Sequence, residues 1–255
     1  MKLATWNVNS LKVRLPQVLD WMATHQPDVL CLQEIKLEDR IFPIAEINDA
    51  GYQASYSGQK TYNGVAILSR IDAGEVSTGI PGFIDEQKRI LAVTINEVRV
   101  VCVYVPNGQS LDSDKYQYKL RWLDALLGWL ENEIRRYPRL ALLGDYNIAP
   151  QDADVYDPSA WEGQVLCSGP ERERFVRLMA LGMKDAFRLF AQQEKSYSWW
   201  DYRMNAFRRN LGMRIDHILL SEELTEKCVS CMIDKSTRKL ERPSDHAPVI
   251  VEIRD

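Results

Sequence analysis

Short apolar runs of strand length recur from one end of this 255-residue chain to the other, with helical patterns between several of them. The strand-like segments are KLATWNV, DVLCLQEI, YQASYS, GVAILSR, the long ILAVTINEVRVVCVYV, RLALLGDY, YSWW, RIDHILL and APVIVEI. Helices instead show apolar residues three and four apart over longer stretches. That spacing runs through Leu15, Val18, Leu19 and Met22 in RLPQVLDWMATH. It runs again through Leu120, Leu123, Leu127, Leu130 and Ile134 in DKYQYKLRWLDALLGWLENEIRRY. A third helix, ERERFVRLMALG, is closed by Gly182. So many strands exceed one simple parallel sheet, and several neighbours are close enough to form hairpins. The expected fold is α/β, with two sheets packed face to face and helices outside. No linker-like tract or repeat divides the chain, so residues 1–255 read as one domain.

An apolar share of 45% leaves ample material for a core. No apolar stretch approaches the roughly 20 residues of a membrane span. The N-terminal MKLATWNVNSLKVR lacks the apolar region of a signal peptide, so a cytoplasmic location without membrane association is expected. Cys31 and Cys102 lie inside apolar runs, and Cys228 and Cys231 form a lone C-x-x-C without the second ligand pair that zinc needs. All five cysteines are expected to be reduced and structural. A net charge of −4 and a pI near 5.6 weigh against a nucleic-acid partner. The objection weakens if the acids gather around a cation, which reverses the local sign.

The segment LLGDYNIAP suggests such a gathering. An apolar run is broken at Gly144, and Asp145 and Asn147 follow two residues apart. On an extended backbone they share a face. Gly, Asp, Asn and Pro are also good turn formers, so turn and active site both remain open for this stretch alone. Four other segments repeat the pattern: TWNVNS with Asn7 and Asn9, DVLCLQEIK with Gln33, Glu34 and Lys36, RIDHILL with Asp216 and His217, and PSDHAPVIVEI with Asp245 and His246. Each has a plain structural reading as a turn, a surface pair or, for His217, a core or surface histidine. Together, Asn7, Glu34, Asp145, Asn147 and Asp245 supply the oxygen ligands that Mg²⁺ takes. Asp216 and His246 supply a carboxylate–imidazole pair that fixes a tautomer. The inventory suits metal-assisted hydrolysis of a phosphoester.

In order, WNVNSLKVRL, LCLQEIK, YNGVAILSR, LLGDYNIAP, SWWDYR, GMRIDHILLS and ERPSDHAPV resemble the signature segments of the exonuclease III family, across essentially the whole chain. These are Mg²⁺-dependent apurinic/apyrimidinic endonucleases and 3′-exonucleases of base excision repair. The resemblance implies a four-layer α/β sandwich, with two packed mostly antiparallel or mixed sheets flanked by helices, forming one catalytic domain. It implies Mg²⁺ as cofactor, with Mn²⁺ as a substitute. It also implies a monomer acting on double-stranded DNA with abasic sites, nicks or 3′ ends.

Carried over by position, Glu34 resembles the main metal carboxylate, with Asn7, Asp145, Asn147, Asp245 and His246 around the same ion. Asp145 matches the residue that orients or deprotonates the attacking water, and Asn147 the amide that holds the phosphate. His246 matches the imidazole on the scissile phosphate, Asp216 its partner, Tyr104 the tyrosine on the leaving side and Asn107 a phosphate contact. Trp199, Trp200 and Met213 are expected to wall a pocket for a flipped abasic sugar. Stacking of single strands is an alternative use of these aromatics, and a core position an alternative for Trp199. Tyr62 lies where the family inserts into a groove. Lys36, Lys60, Lys115, Lys119, Arg203, Arg208 and Arg209 are expected against backbone phosphates. Tyr146 should only pack.

The segment from Val165 to Gly169 is less familiar, and bulk there would favour 3′-end trimming over abasic incision. Two competing readings are a phosphatase of inositol lipids or a sphingomyelin hydrolase of the same superfamily, and a non-catalytic nucleic-acid-associated relative. SWWDYR before RIDH speaks against the first, and the intact site positions against the second.

Overall fold

The computed structural model describes residues 1–254. Its strands, in chain order, are β1 (Lys2–Asn7), β2 (Val29–Gln33), β3 (Gln53–Ser57), β4 (Val65–Ser69), β5 (Gly74–Thr78), β6 (Ile90–Ile95), β7 (Val98–Tyr104), β8 (Leu140–Asp145), β9 (Lys184–Asp185), β10 (Asp216–Leu220), β11 (Cys228–Ile233) and β12 (Val249–Ile253). The α-helices are α1 (Leu11–His25), α2 (Ile44–Asp49), α3 (Asp114–Arg136), α4 (Pro158–Trp161), α5 (Gly169–Ala180), α6 (Ala206–Arg209) and α7 (Glu222–Lys227). One sheet has the order β11-β12-β1-β2-β4-β3 and the other β5-β6-β7-β8-β10-β9. The two are built alike. Each has one central parallel pair, β1 with β2 and β7 with β8, and antiparallel neighbours outside it. A parallel pair needs a long crossover, and α1 and α3 supply them.

Alternation along the strands makes the layers. In β7, Val98, Val100, Cys102 and Tyr104 face the space between the sheets, where Leu3, Val29, Cys31, Leu143 and Ile218 meet them. Val101 and Val103 face the other way, onto Trp122, Leu126 and Leu130 of α3 and Phe175 of α5. On the far side, Ala4, Trp6, Leu30 and Leu32 pack against Val18, Trp21 and Met22 of α1. The result is helix, sheet, sheet, helix, the four-layer sandwich expected. Burying each such aliphatic side chain contributes roughly 1.5–3 kcal/mol.

Some expectations need correcting. Gly144 does not break its strand: it pairs with Val103 on one side and His217 on the other, and β8 continues to Asp145. YSWW is not a strand, since only Trp199 makes isolated bridges, to Met213 and His246. The strands β5, β9 and β11 were not apparent from sequence. All three lie at sheet edges, where one neighbour suffices and no continuous apolar run is required. All five cysteines are free. No helix among the described residues is long and apolar enough to cross a membrane.

Candidate active site

In both sheets the parallel strands end on the same polar side chains that sequence singled out. Asn7 closes β1 opposite Gln33, and Glu34 follows β2 directly. Tyr104 closes β7 opposite Asp145, the last residue of β8. Asp216 opens β10 and is also registered with Asp145. Period-two alternation decides their direction. Asn7 lies in phase with Leu3, Asp145 with Ala141 and Leu143, and Asp216 with Ile218 and Leu220, all of which face between the sheets. The intersheet core therefore ends in a row of polar groups. Ligands commonly bind beyond the carboxyl ends of parallel strands. His217, one residue out of phase, is buried on the helix side against Tyr146 and Phe175, as a core histidine.

Asn7 ties the two sheets together chemically. Its Nδ2 donates to Glu34 Oε1 and to Asp145 Oδ2, both at 2.9 Å. Lys36 Nζ lies 2.9 Å from Glu34 Oε2 and donates to Asn9 Oδ1 at 2.6 Å. Asp245 accepts from Asn9 Nδ2 at 2.9 Å and from Trp199 Nε1 at 3.1 Å. His246 Nδ1 is 2.9 Å from Asp216 Oδ2, and its Nε2 is 3.8 Å from Asp145 Oδ2. Asn147 converges on the same point by a route other than the extended backbone expected. Its φ is 49°, and its backbone N–H donates to Asp145 Oδ1 at 2.9 Å. Asn9 repeats this side-chain-capped turn on Asn7 Oδ1 at 3.0 Å. The Asn147 amide is bounded by Val105 O, Asp145 Oδ2 and the donating Nδ2 of Asn107.

Electrostatics separate the acid and base forms. Burial pushes the Asp145 carboxyl up to about 7, reinforced by Asp216 and partly offset by His246. For His246, burial opposes protonation, but the negative neighbours Asp216, Asp145 and Asp245 outweigh it and push the imidazole up to about 10. Burial, then the charges of Glu34 and Asp145, hold the Tyr104 phenol far above its usual range, so it stays protonated. Asp245 is half-buried, which pushes its carboxyl up, yet His246, Asn9 and Trp199 together keep it below the ordinary value.

Oxygens of Glu34 and Asp145 and a nitrogen of His246 lie within 4.8 Å of one another. Two carboxylates bridged by one amide, at the end of an apolar core, fit a hard divalent cation that keeps part of its water shell. Asp245 faces the same cleft, with its oxygens engaged by Asn9 and Trp199.

The cleft, about 400 Å³, brings together Glu34, Tyr104, Asn107, Asp145, Asn147, Trp199, Arg203, Asp245 and His246. An adjoining groove of about 820 Å³ continues past Tyr104 and Asn107 to Tyr62, Arg89 and Lys115. Lys60, Arg208 and Arg209 are exposed, and Arg203 is exposed at the cleft rim in an ion pair with Asp201 at 2.6 Å. Three expectations fail. Trp200 is fully buried against Phe207, with Arg238 over its ring, and faces no cleft. Met213 is fully buried behind Trp199, with which it exchanges backbone hydrogen bonds at 2.9 Å. Lys119 is fully buried and meets no solvent-borne phosphate.

Sequence reasoning also missed residues. Arg89 lies 4.7 Å from the centroid of the Tyr104 ring and donates to Tyr104 O at 3.2 Å. Trp161 lines the cleft. Neither has a local signal, because each arrives from a segment outside the motifs. Asn9, named beside Asn7 in the sequence but given no role there, links Lys36 to Asp245.

The profile of the Endonuclease/Exonuclease/phosphatase family matches residues 4–246. The chain is 35% identical over 267 residues to exodeoxyribonuclease III of Haemophilus influenzae, covering 100% of both chains. In structure it is similar to a Neisseria 3′ phosphatase bound to a product DNA hairpin, with TM-score 0.98, 48% identity and 100% of both chains covered. It is also similar to an AP endonuclease from Archaeoglobus fulgidus, with TM-score 0.96, 38% identity and the same full coverage.

Proposed function

This chain belongs to the Endonuclease/Exonuclease/phosphatase family as a hydrolytic DNA repair nuclease of the exonuclease III type, and we propose that it uses Mg²⁺ to process 3′ ends of double-stranded DNA. The whole chain acts as one catalytic unit, as a cytoplasmic monomer. The observation that carries this reading is that Asp145 is linked through the Asn7 amide to Glu34 on one side and faces the Asp216–His246 couple on the other.

The chemistry follows from the protonation states. Water attacks phosphorus, a P–O bond forms and the bond to the 3′ oxygen breaks. Asp145, beside the Asn7 amide and the His246 imidazole, orients the attacking water and takes up its proton. His246, held protonated by Asp216, donates to a phosphoryl oxygen where negative charge develops. Asn147 holds the same group through its amide, and the neutral Tyr104 stands on the leaving side with a proton to give. A cation held by Glu34 and Asp145, when bound, offsets charge on the phosphoryl oxygens. Lys36, Tyr62, Asn107, Lys115 and Arg203 contact the DNA backbone along the cleft and its groove.

Trp161, Val165 and Leu166 line the cleft in one cluster with Trp199, the aromatic assigned to the pocket for an extruded sugar. Leu166 is nearly fully buried there. This bulk supports 3′-end trimming and 3′-phosphate removal over incision at an internal abasic site.

The test is a gel assay with Mg²⁺ on two labelled duplexes, one with a recessed 3′ end and one with an internal abasic site. Trimming should dominate, and Asp145→Asn should lower it by orders of magnitude while duplex binding survives. Efficient abasic incision would refute the substrate preference. Wild-type turnover in the variant would remove Asp145 from the mechanism.

A further inference from the structure

Lys119, on α3, is a cation with no solvent around it. Its Nζ donates to the backbone carbonyls of Asn147, at 2.6 Å, and of Asn107, at 3.1 Å, and it is paired with Glu171. Those three acceptors use all three ammonium donors. The two carbonyls belong to the residues whose side-chain amides meet at 3.0 Å in the cleft.

Glu171, also fully buried, continues the connection. Its Oε1 accepts from Leu166 N and its Oε2 from Ser168 N, both at 3.1 Å, and the Ser168 hydroxyl donates to it as well. Leu166 O in turn accepts from Ala149 N at 2.8 Å, two residues beyond Asn147. Both Asn147 and Leu166 hold left-handed backbone, with φ of 49° and 77°. Such conformations persist in residues other than glycine when the surroundings over-determine them. A buried ion pair is a weak source of stability, since apolar side chains of similar volume often serve as well or better. Its geometry here serves two residues of the cleft.

We propose that the Lys119–Glu171 pair is a positioning device, with the cation fixing the Asn147 and Asn107 amides and the anion fixing the Leu166 loop in register with them. The phosphate-side amide and the loop that screens the substrate are thereby set by one ion pair. The inference rests on the roles given above to Asn147 and Leu166.

The test is the double variant Lys119→Met with Glu171→Gln, which removes both charges and leaves no lone buried ion. Its thermal midpoint, kcat and KM on a recessed 3′ end, and incision at an internal abasic site are measured with Mg²⁺, in the wild-type and Asn147→Ala backgrounds. In a folded double variant kcat falls about 10–100-fold with KM nearly unchanged, the size of effect expected when an orienting partner is lost. The ratio of abasic incision to trimming rises as the Leu166 loop is released. In the Asn147→Ala background the same change costs no more than about twofold in kcat, because its effect passes through that residue. Wild-type kcat in the folded double variant, or a full additive loss on top of Asn147→Ala, overturns the proposal. Unchanged turnover in Asn147→Ala alone overturns instead the role assigned to Asn147. Lys119→Arg keeps the charge opposite Glu171 but cannot aim three donors from one nitrogen, so it also lowers kcat in a folded protein. Wild-type kcat there overturns the proposal even if the double variant does not fold.

Discussion

Replacing Gly144 by alanine tests how closely the two central strands of the second sheet must approach. A Cβ built on Gly144 falls 1.9 Å from the carbonyl oxygen of Val103 and 2.8 Å from its carbon. Real Cβ atoms essentially never come within 3.0 Å, so the strands must part by about 1.1 Å. The obstacle is backbone, and it cannot rotate aside. The next residues in this register are Tyr104 and Asp145, so the displacement falls on the site itself. Overpacking of this kind costs roughly 1–3 kcal/mol. In a protein of this size that lowers the thermal midpoint by roughly 2–12 °C. A misplacement of about 1 Å at reacting groups costs about 100-fold in rate. Single-turnover trimming of a recessed 3′ end, with binding measured separately, should show a fall of that order in the chemical step. Gly128 is the control: it lies exposed on α3 with nothing within 4 Å of an added Cβ. There alanine should add about 0.5–1 kcal/mol of stability and leave turnover alone. Wild-type rate and thermal midpoint in Gly144→Ala would refute the close-approach argument.

Glu34→Ala should weaken divalent-cation binding on the order of tenfold or more, since loss of an outer partner alone costs about that much; an unchanged Mg²⁺ titration would show the ligand set to be misassigned. Asp216→Asn should lower kcat about 10–100-fold with DNA affinity retained, because His246 loses the carboxylate 2.9 Å from Nδ1; equal kcat would place Asp216 outside the mechanism. His217 gives a pH prediction. Burial, then the charge of Arg214, holds its imidazole down to about 3, against an ordinary value of 6.5. Below pH 6.5 the unfolded chain takes up a proton that the folded one refuses until near pH 3. The contribution of His217 to stability is therefore full above 6.5 and is lost as pH falls through that window, by up to about 1.4 kcal/mol per pH unit. Urea unfolding between pH 7 and 4 should show a shallower slope in His217→Gln, and an identical slope would contradict the assignment.

Much of the site could be read before any fold was known, because its signals are local. An apolar run ending in Asn7, in Gln33–Glu34 or in Asp145 marks a buried strand and a polar end in the same few residues. The pairing of Asp216 with His246 was implied by the family resemblance, and the structure places the two 2.9 Å apart. Direction was harder to read. Trp200, Met213 and Lys119 sit in or beside motif segments, yet each is fully buried. Whether an aromatic or a lysine faces the cleft depends on which element covers it, and that element comes from elsewhere in the chain. Asn147 reaches Asp145 through a left-handed turn, and no alternation rule describes that route.

The sequence by itself determined the layered α/β class, the strand ends that bear the chemistry and the side chains able to perform it, because periodicity and turn chemistry act over a few residues. Only the tertiary structure decided that two separate parallel pairs end face to face, that Asn7 bridges Glu34 and Asp145 across the sheets, and that Lys119 turns inward. Those outcomes depend on register and packing between segments up to 138 residues apart, as Asn7 and Asp145 are. A one-residue change of phase would send each strand side chain to the opposite face.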